Sequence, residues 1–259
     1  MSFAHSCIKH SMLERYFYDL HVHSCLSPCG DDDMTPCNIA GMAALKGLQI
    51  VALTDHNTTK NCPAFFAAAK QNGIIPVAGA EITTSEDVHA VCLFPTLEEA
   101  MEFDAALDEW RIPFQNDPDA FGHQEIMDEE DRVIGEVDDL LINAVGLSLD
   151  ELYPFVSRFG GVCFPAHVDK EANSVTGMLG TVPDHPAMHA VEFHDESKIP
   201  SFREKHPAIC GKLPIISSDA HYLWDISEAE HFLMLESEEY SADNIRRRLF
   251  QLLKGEDTP

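Results

Sequence analysis

Short apolar runs punctuate this chain at regular intervals, and each is bounded by Gly, Pro or polar residues. Such runs predict buried strands over residues 16–22, 50–53, 74–80, 88–94, 162–165, 190–193, 213–216 and 232–235. Segments with helical spacing lie between them. In Thr35–Leu48, Thr35 is an N-cap, Pro36 takes the first helical position, and Ile39, Met42, Ala43 and Leu45 fall near one face. Pro63–Gln71 is an Ala- and Phe-rich helix closed by Asn72-Gly73, and Leu97–Trp110 is also helical. Ser148 and Glu151 form a capping box for a helix that ends at Gly160-Gly161. Ser241–Lys254 closes the chain with Ile245, Leu249, Leu252 and Leu253 on one side.

Alternating strands and helices predict an α/β fold, a parallel sheet packed against helices. In such folds functional residues collect at the carboxyl ends of strands. Arg111–Gly146 breaks the rhythm with Pro113, Pro118, Gly122, Gly135 and the acidic run Asp128–Asp131. It reads as an irregular acidic insertion, about 112–146, within a single domain over 15–259. Residues 1–14 read as an N-terminal extension carrying His5, Cys7 and His10, with no apolar stretch of a secretory leader. No apolar run approaches the roughly 18 residues of a membrane span.

Charge narrows the function. Lys and Arg total 17 against 44 Asp and Glu, a net −27. That balance argues against a basic nucleic-acid face and against long nucleic acid as a partner. An anionic substrate then needs bound cations to reverse the sign locally. Eight cysteines in 259 residues are too sparse for a disulfide scaffold, so a reducing, cytoplasmic setting is expected. Nothing in the sequence sets an oligomeric state.

The chemistry gathers at the predicted strand ends: His21-Val22-His23, Asp55-His56, Glu81, His89, His167 and Asp219-Ala220-His221. Residues two apart on a strand share a side, so His-x-His points both imidazoles one way. These are too many ligands for one four-coordinate ion, and two or three divalent ions are the economical reading. Imidazole and carboxylate suit zinc, manganese or iron. Clustered metals acidify water and neutralise phosphoryl charge, which points to phosphoester hydrolysis of a small phosphorylated substrate.

Taken together, Asp19-Leu20-His21-Val22-His23-Ser24, Leu53-Thr54-Asp55-His56-Asn57, Gly79-Ala80-Glu81, Pro165-Ala166-His167 and Ser217-Ser218-Asp219-Ala220-His221 resemble the successive motifs of the polymerase and histidinol phosphatase (PHP) family, over roughly Tyr16 to Leu235. The resemblance implies a distorted (β/α)7 barrel, a trinuclear site at the strand ends and metal-dependent phosphoesterase activity. It implies that His21, His23, Glu81 and Asp219 hold one metal, that His56 and His221 hold a second, and that Glu81 bridges to a third completed by His89 and His167. Asp55 is expected to orient a neighbour or a bound ligand. One departure from the family stands out. Where the family places an Asp or His, this chain reads Ser27-Pro28-Cys29-Gly30-Asp31-Asp32-Asp33. Cys29 or one of Asp31, Asp32 and Asp33 completes the second metal, or Cys29 is only a turn residue.

Around that centre, His194 or His221 is a candidate proton donor to the leaving oxygen. Lys170, Arg132 and His123 are candidate substrate contacts. The acidic insertion is placed as a lid that excludes polymers. Three alternatives accompany this reading: an exoribonuclease or nucleic-acid end-processing member of the same family, a non-catalytic metal-binding regulatory module, and an amidohydrolase-type barrel, for which no metal-bridging Lys is visible.

Overall fold

The computed structural model describes residues 12–237 and 241–256. Strands are β1 (Met12–Val22), β2 (Ile50–Leu53), β3 (Ile75–Thr83), β4 (His89–Phe94), β5 (Glu125–Met127), β6 (Val133–Glu136), β7 (Val162–Pro165), β8 (Ala190–Phe193), β9 (Leu213–Ile216) and β10 (Phe232–Ser237). Helices are α1 (Pro36–Leu45), α2 (Cys62–Asn72), α3 (Leu97–Leu107), α4 (Pro118–Phe121), α5 (Leu149–Ser157), α6 (Val175–Leu179), α7 (Ile199–Lys205) and α8 (Ala242–Leu253). The capping signals hold, although Leu45, expected near the apolar face of α1, is exposed. Thr35 accepts from the Asn38 N–H and Pro36 opens α1. Gly73 closes α2 in the left-handed region. Ser148 and Glu151 cap α5 reciprocally. The N-terminal extension lies outside the described residues up to residue 11, and residues 12–14 already belong to β1.

The principal sheet runs β10-β1-β2-β3-β4-β7. It is mixed, which corrects the parallel expectation. β1, β2 and β3 are parallel, β10 runs against β1, and β4 runs against both β3 and β7. The reason is connection length: only residues 84–88 separate β3 from β4, too few for a crossover. β8 and β9 form a separate parallel pair. Hydrogen bonds outside the ladders tie that pair to the chain just after edge strand β7 and to β1, the strand next to the other edge. The Val168 N–H donates to the Glu192 carbonyl at 2.9 Å. The Ile216 N–H donates to the Tyr18 hydroxyl at 3.1 Å, and Val22 bridges Ala220. The result is an α/β fold around a curled mixed sheet, a half-barrel.

Both faces of the sheet are buried, which explains why its strands read as continuous apolar runs. On the convex side Val51, Leu53, Ala78, Ala80, Cys92 and Phe94 pack with helix residues such as Ile39, Phe65, Phe103 and Leu152. On the concave side Tyr18, Leu20, Ile50, Ala52, Val77 and Val91 pack with Ile245, Leu249 and Phe250 of α8. The helix plugs the end of the concavity where the parallel strands begin. The opposite end, where they finish, is left for polar side chains.

Segment 112–146 is more ordered than its composition predicts. It contains α4 and the β5–β6 hairpin. Besides the buried Met127, Leu140, Leu141 and Val145, amide side chains hold it in place. Asn57 Nδ2 donates to the carbonyls of Leu141 (2.6 Å) and Asn143 (2.8 Å), and Gln124 Nε2 donates to those of Val137 and Asp139.

Candidate metal centre

A β-bulge starts the site. The register of β1 against β2 slips between Asp19 and Val22. In a regular strand Leu20 and Val22 would share a face. Here Leu20 lies in the concave cluster and Val22 in the convex one. The slip turns both His21 and His23 into the concavity, as bulges beside functional sites do. Glu81 also faces inward, being of opposite parity to the convex Ala80 and Ile82. His89 is the first residue of β4, yet it reaches the same rim because the strand runs backwards and pairs His89 with Thr83.

Four of these side chains form a cage. His21 Nε2 lies 3.1 Å from His23 Nε2 and 3.3 Å from Glu81 Oε1. Asp219 Oδ1 is 3.4 Å from His21 Nε2 and 3.3 Å from His23 Nε2, which is itself 3.4 Å from Glu81 Oε2. Donors about 2.0–2.1 Å from a tetrahedral ion stand about 3.3 Å from one another. The cage fits a cation such as zinc without rearrangement. Glu81 then reaches onward: Oε1 is 3.0 Å from His89 Nδ1 and 3.2 Å from His167 Nε2, and Oε2 is 3.1 Å from His56 Nδ1. Convergent donors fall into three groups: His21-His23-Glu81-Asp219, His23-His56-His221 and His56-Glu81-His89. Shared members make the arrangement multinuclear. His56 Nδ1 and Glu81 Oε2 are buried without any hydrogen bond. Such orphans are costly unless a cation satisfies them.

Electrostatics sorts the imidazoles. Burial disfavours the protonated forms of His21, His23, His56 and His221. Against it, Glu192, Glu81 and Asp219 drive His21 well above its ordinary value, and Asp219 and Glu81 bring His23 up to about 9. His56 is pushed well below the usual range by burial and by the charge on His23, and His221 falls to about 4 for the same reasons. Burial raises the Glu81 and Asp219 carboxyls, but His89 and His21 overcome this at Glu81, as His21 and His23 do at Asp219, and both end well below the usual range. Metal binding at His21 and His23 must therefore release protons.

Buried carboxylates behind the cage fix its geometry. Glu192 accepts from His21 Nδ1 at 3.0 Å and from the His167 N–H at 3.0 Å. It holds His21 with Nε2 facing the cage. Asp55 accepts from the Ser24 N–H and from the hydroxyls of Ser24 and Ser27, each at 2.7 Å. The Ser27 hydroxyl meets His23 Nδ1 at 3.0 Å and receives the His56 N–H at 3.1 Å. The turn is tight: a Cβ on Gly30 would stand 2.2 Å from the Ser24 carbonyl oxygen. Asp19 accepts from the N–H groups of Ser218 and Ser227. Asn57, His167 and Asp219 have positive φ, of 52°, 29° and 55°, a cost that non-glycine residues bear where a site is over-determined. Sequence reasoning left Glu192, on the strand face it shares with His194, open between a supporting role and plain packing, and gave Ser27 no role. The available signal was a carboxylate closing the apolar run Ala190-Val191-Glu192-Phe193.

The other expected residues are placed as follows. Lys170 Nζ lies 2.8 Å from Asp219 Oδ2 and lines a cleft of about 540 Å³ with His194, Ser218 and Asp219. His221 donates from Nδ1 to the Asp219 carbonyl at 2.8 Å, which leaves Nε2 as its ligand atom. Asp55 lies behind His23 and outside the donor groups, bonded to Ser24 and Ser27. Cys29 is exposed, and neither it nor Asp31, Asp32 or Asp33 joins a donor group among the described residues. Two expected substrate contacts lie on segment 112–146 beside local acids. Arg132, with 70% of its side chain exposed, is spent on Asp128 and Glu130 of its own turn. His123 is also exposed and pairs with Glu136.

Comparison with known proteins agrees with this geometry. The PHP domain model matches residues 19–247. An uncharacterized protein of Methanocaldococcus jannaschii is 37% identical over 76 residues, 26% of this chain and 44% of that protein. An error-prone DNA polymerase of Symbiobacterium thermophilum is 38% identical over 77 residues, 30% of this chain and 7% of the polymerase. A 5′-3′ exoribonuclease of Haemophilus influenzae is 37% identical over 68 residues, 26% of this chain and 24% of that enzyme. The matched regions thus span less than half of each of these relatives. Among solved structures, the lesion-specific endonuclease Q of Pyrococcus furiosus aligns with TM-score 0.62 at 19% identity, over 94% of this chain and 56% of that one. A Bifidobacterium adolescentis protein, itself assigned only by inference as a metal-dependent phosphoesterase, aligns with TM-score 0.51 at 19% identity over 92% and 97%. At these identities the likeness is one of fold. Among the described residues no helix is long and apolar enough to cross a membrane. With a family model matched over most of its length and the cage at its strand ends, this chain belongs to the PHP domain family.

Proposed function

We propose that this protein is a metal-dependent phosphoesterase that hydrolyses a small phosphomonoester or a nucleotide phosphate. The observation that carries the reading is the buried cage of His21, His23, Glu81 and Asp219, with tetrahedral spacing and with Glu81 shared by a second donor group. In this reading β1, β2, β3, β4, β7, β8 and β9 are the staves of a distorted (β/α)7 barrel. His56 and His221 belong to a second metal, and His89 and His167 to a third. Zinc, manganese and iron all suit the donor set. Divalent cations there supply Lewis acidity, acidifying water and neutralising charge on phosphoryl oxygens.

The chain's own residues do the rest. Lys170, at the cleft edge beside Asp219, reaches a phosphoryl oxygen and orients the ester. His194, exposed on the same cleft, protonates the leaving oxygen. His221 is unsuited to that task, because its Nδ1–H is engaged with a carbonyl and burial keeps the ring neutral. Glu192 and Asp55 prevent the imidazoles from turning. Segment 112–146, bonded to Asn57, the residue next to His56, is a wall of the entrance and helps to choose substrates.

A second reading, nucleic-acid end processing, is favoured by the exoribonuclease among the relatives and opposed by the net charge of −27. The test is phosphate release by metal-loaded protein from p-nitrophenyl phosphate and a panel of phosphorylated metabolites, beside RNA oligonucleotides. Turnover of small esters that disappears with chelator and in His23→Ala supports the proposal. Turnover that survives His23→Ala, or confined to the oligonucleotides, overturns it.

A further inference from the structure

Immediately after His221 the chain presents two aromatic rings to water. Tyr222 is 41% exposed and Trp224 is 69% exposed. Their rings stack on each other, with centroids 5.3 Å apart and planes 15° from parallel. Leu223 between them packs on the core. Large aromatics are among the residues a fold gains most from burying, so a stacked exposed pair asks for a reason.

Looseness is not the reason. The turn is pinned at both ends by one fully buried carboxylate: Asp19 accepts the Ser218 N–H at 3.1 Å and the Ser227 N–H at 2.9 Å. In the middle, Lys46 Nζ donates to the Trp224 carbonyl at 2.7 Å. Closer to the centre, the Asp31 N–H donates to the His221 carbonyl and the His23 N–H to the Ala220 carbonyl, each at 2.9 Å. The backbone is fixed and the rings are displayed on it.

The turn also connects the two parts of the site. Asp219 and His221 contribute donor atoms to the metal groups. Asp225, Ser227 and Glu228 line the 540 Å³ cleft, with Lys170 and His194. We propose that Tyr222 and Trp224 are a stacking platform for the base of a nucleotide whose phosphate is held at the Lys170–Asp219 end of the site, so that the substrate class is a nucleoside monophosphate. This rests on the phosphoesterase reading above. A base has an apolar π face that stacks on such rings whatever its sequence identity. Asp225 and Glu228 accept from ribose hydroxyls. The same acids repel further phosphates, which favours one nucleotide over a polymer.

The chain has two tryptophans, Trp110 and Trp224. In a Trp110→Phe background the fluorescence therefore reports on Trp224 alone. Metal-loaded protein is mixed with each of the four nucleoside 5′-monophosphates or with ribose 5-phosphate, and emission is read before turnover. Nucleotides quench Trp224, and ribose 5-phosphate at the same concentration does not. In parallel, kcat/KM for nucleotide relative to ribose 5-phosphate falls by about 5- to 150-fold in Tyr222→Ala and Trp224→Ala. Trp224→Phe keeps most of the preference, and the rate on ribose 5-phosphate is unchanged in all three. Equal quenching by ribose 5-phosphate, no quenching by any nucleotide, or an unaltered ratio in both alanine variants overturns the platform. Quenching by nucleotide without phosphate release from either ester leaves the platform standing and removes the phosphoesterase reading. Release from both esters with an unaltered ratio does the reverse.

Discussion

At the metal centre six imidazoles meet Glu81 and Asp219, most of them buried, and several of their partners come from distant parts of the chain, as Glu192 does for His21. In segment 112–146 the ionisable side chains mostly stand in solvent and pair with neighbours a few residues away, as Arg132 does with Asp128 and Glu130. Both regions are rich in carboxylates. What differs is what the carboxylates answer to. A buried charge must be matched by a specific partner or a cation, so its geometry is over-determined. An exposed charge is matched by water, and its pairs contribute little. The same residue type is therefore strong evidence of function in one region and weak evidence in the other.

Four substitutions sharpen that contrast. The largest effect is expected from Glu81→Gln. Glu81 is shared between donor groups, and halving its charge-bearing oxygens weakens more than one ion at once. Turnover should fall on the order of 10³-fold, the scale on which a principal electrostatic group acts, with loss of bound metal in the same preparation. Near-normal metal content and activity would remove Glu81 from the centre. Next is Glu192→Gln, which preserves shape but lets His21 take the wrong tautomer. Metal affinity should drop about 10- to 100-fold, read by competition with a chromophoric chelator. Unchanged affinity would make Glu192 a packing residue.

The third concerns the joint between the regions. Asp104 on α3 accepts from Thr58, the Thr59 N–H, Lys60 and Arg111, and Arg111 in turn donates to the Asn57 carbonyl beside His56. Burial raises the Asp104 carboxyl, but Arg111 and Lys60 outweigh it and leave it below its ordinary value. A depressed folded value means stability that is fully present above the unfolded carboxyl range, near pH 4, and is lost as pH falls through the folded value. Asp104→Asn should cost about 2 kcal/mol in urea unfolding at pH 7. The gap to the natural protein should narrow only below about pH 4. A gap that does not change with pH would contradict the ionic account. Smallest is Arg132→Ala: melting temperature and turnover stay as they are, and a measurable loss of substrate affinity would return Arg132 to the site.

The same distinction governs how much could be read from sequence. Strand and helix positions were legible because both faces of the sheet are buried and the caps are local: Ile50–Leu53, Val162–Pro165 and the Ser148 box needed no distant information. The cage was legible in its residue types, since His21, His23, Glu81 and Asp219 have few uses together other than metal. Strand direction was not, because it depends on the short 84–88 connection rather than on any residue in β4. Nor was the work of Glu192, whose partner His21 lies 171 positions away. The local pairing of Arg132 with Asp128 and Glu130 was not legible either, because a lone Arg in a sequence does not reveal which acid lies within reach.

Anomalous diffraction from crystals of the metal-loaded protein tests the central claim most directly. Peaks are expected within the His21-His23-Glu81-Asp219 group and beside Glu81 toward His56, two or more in all. No peak among these side chains, or one confined to the exposed acids of 128–131, would contradict the account.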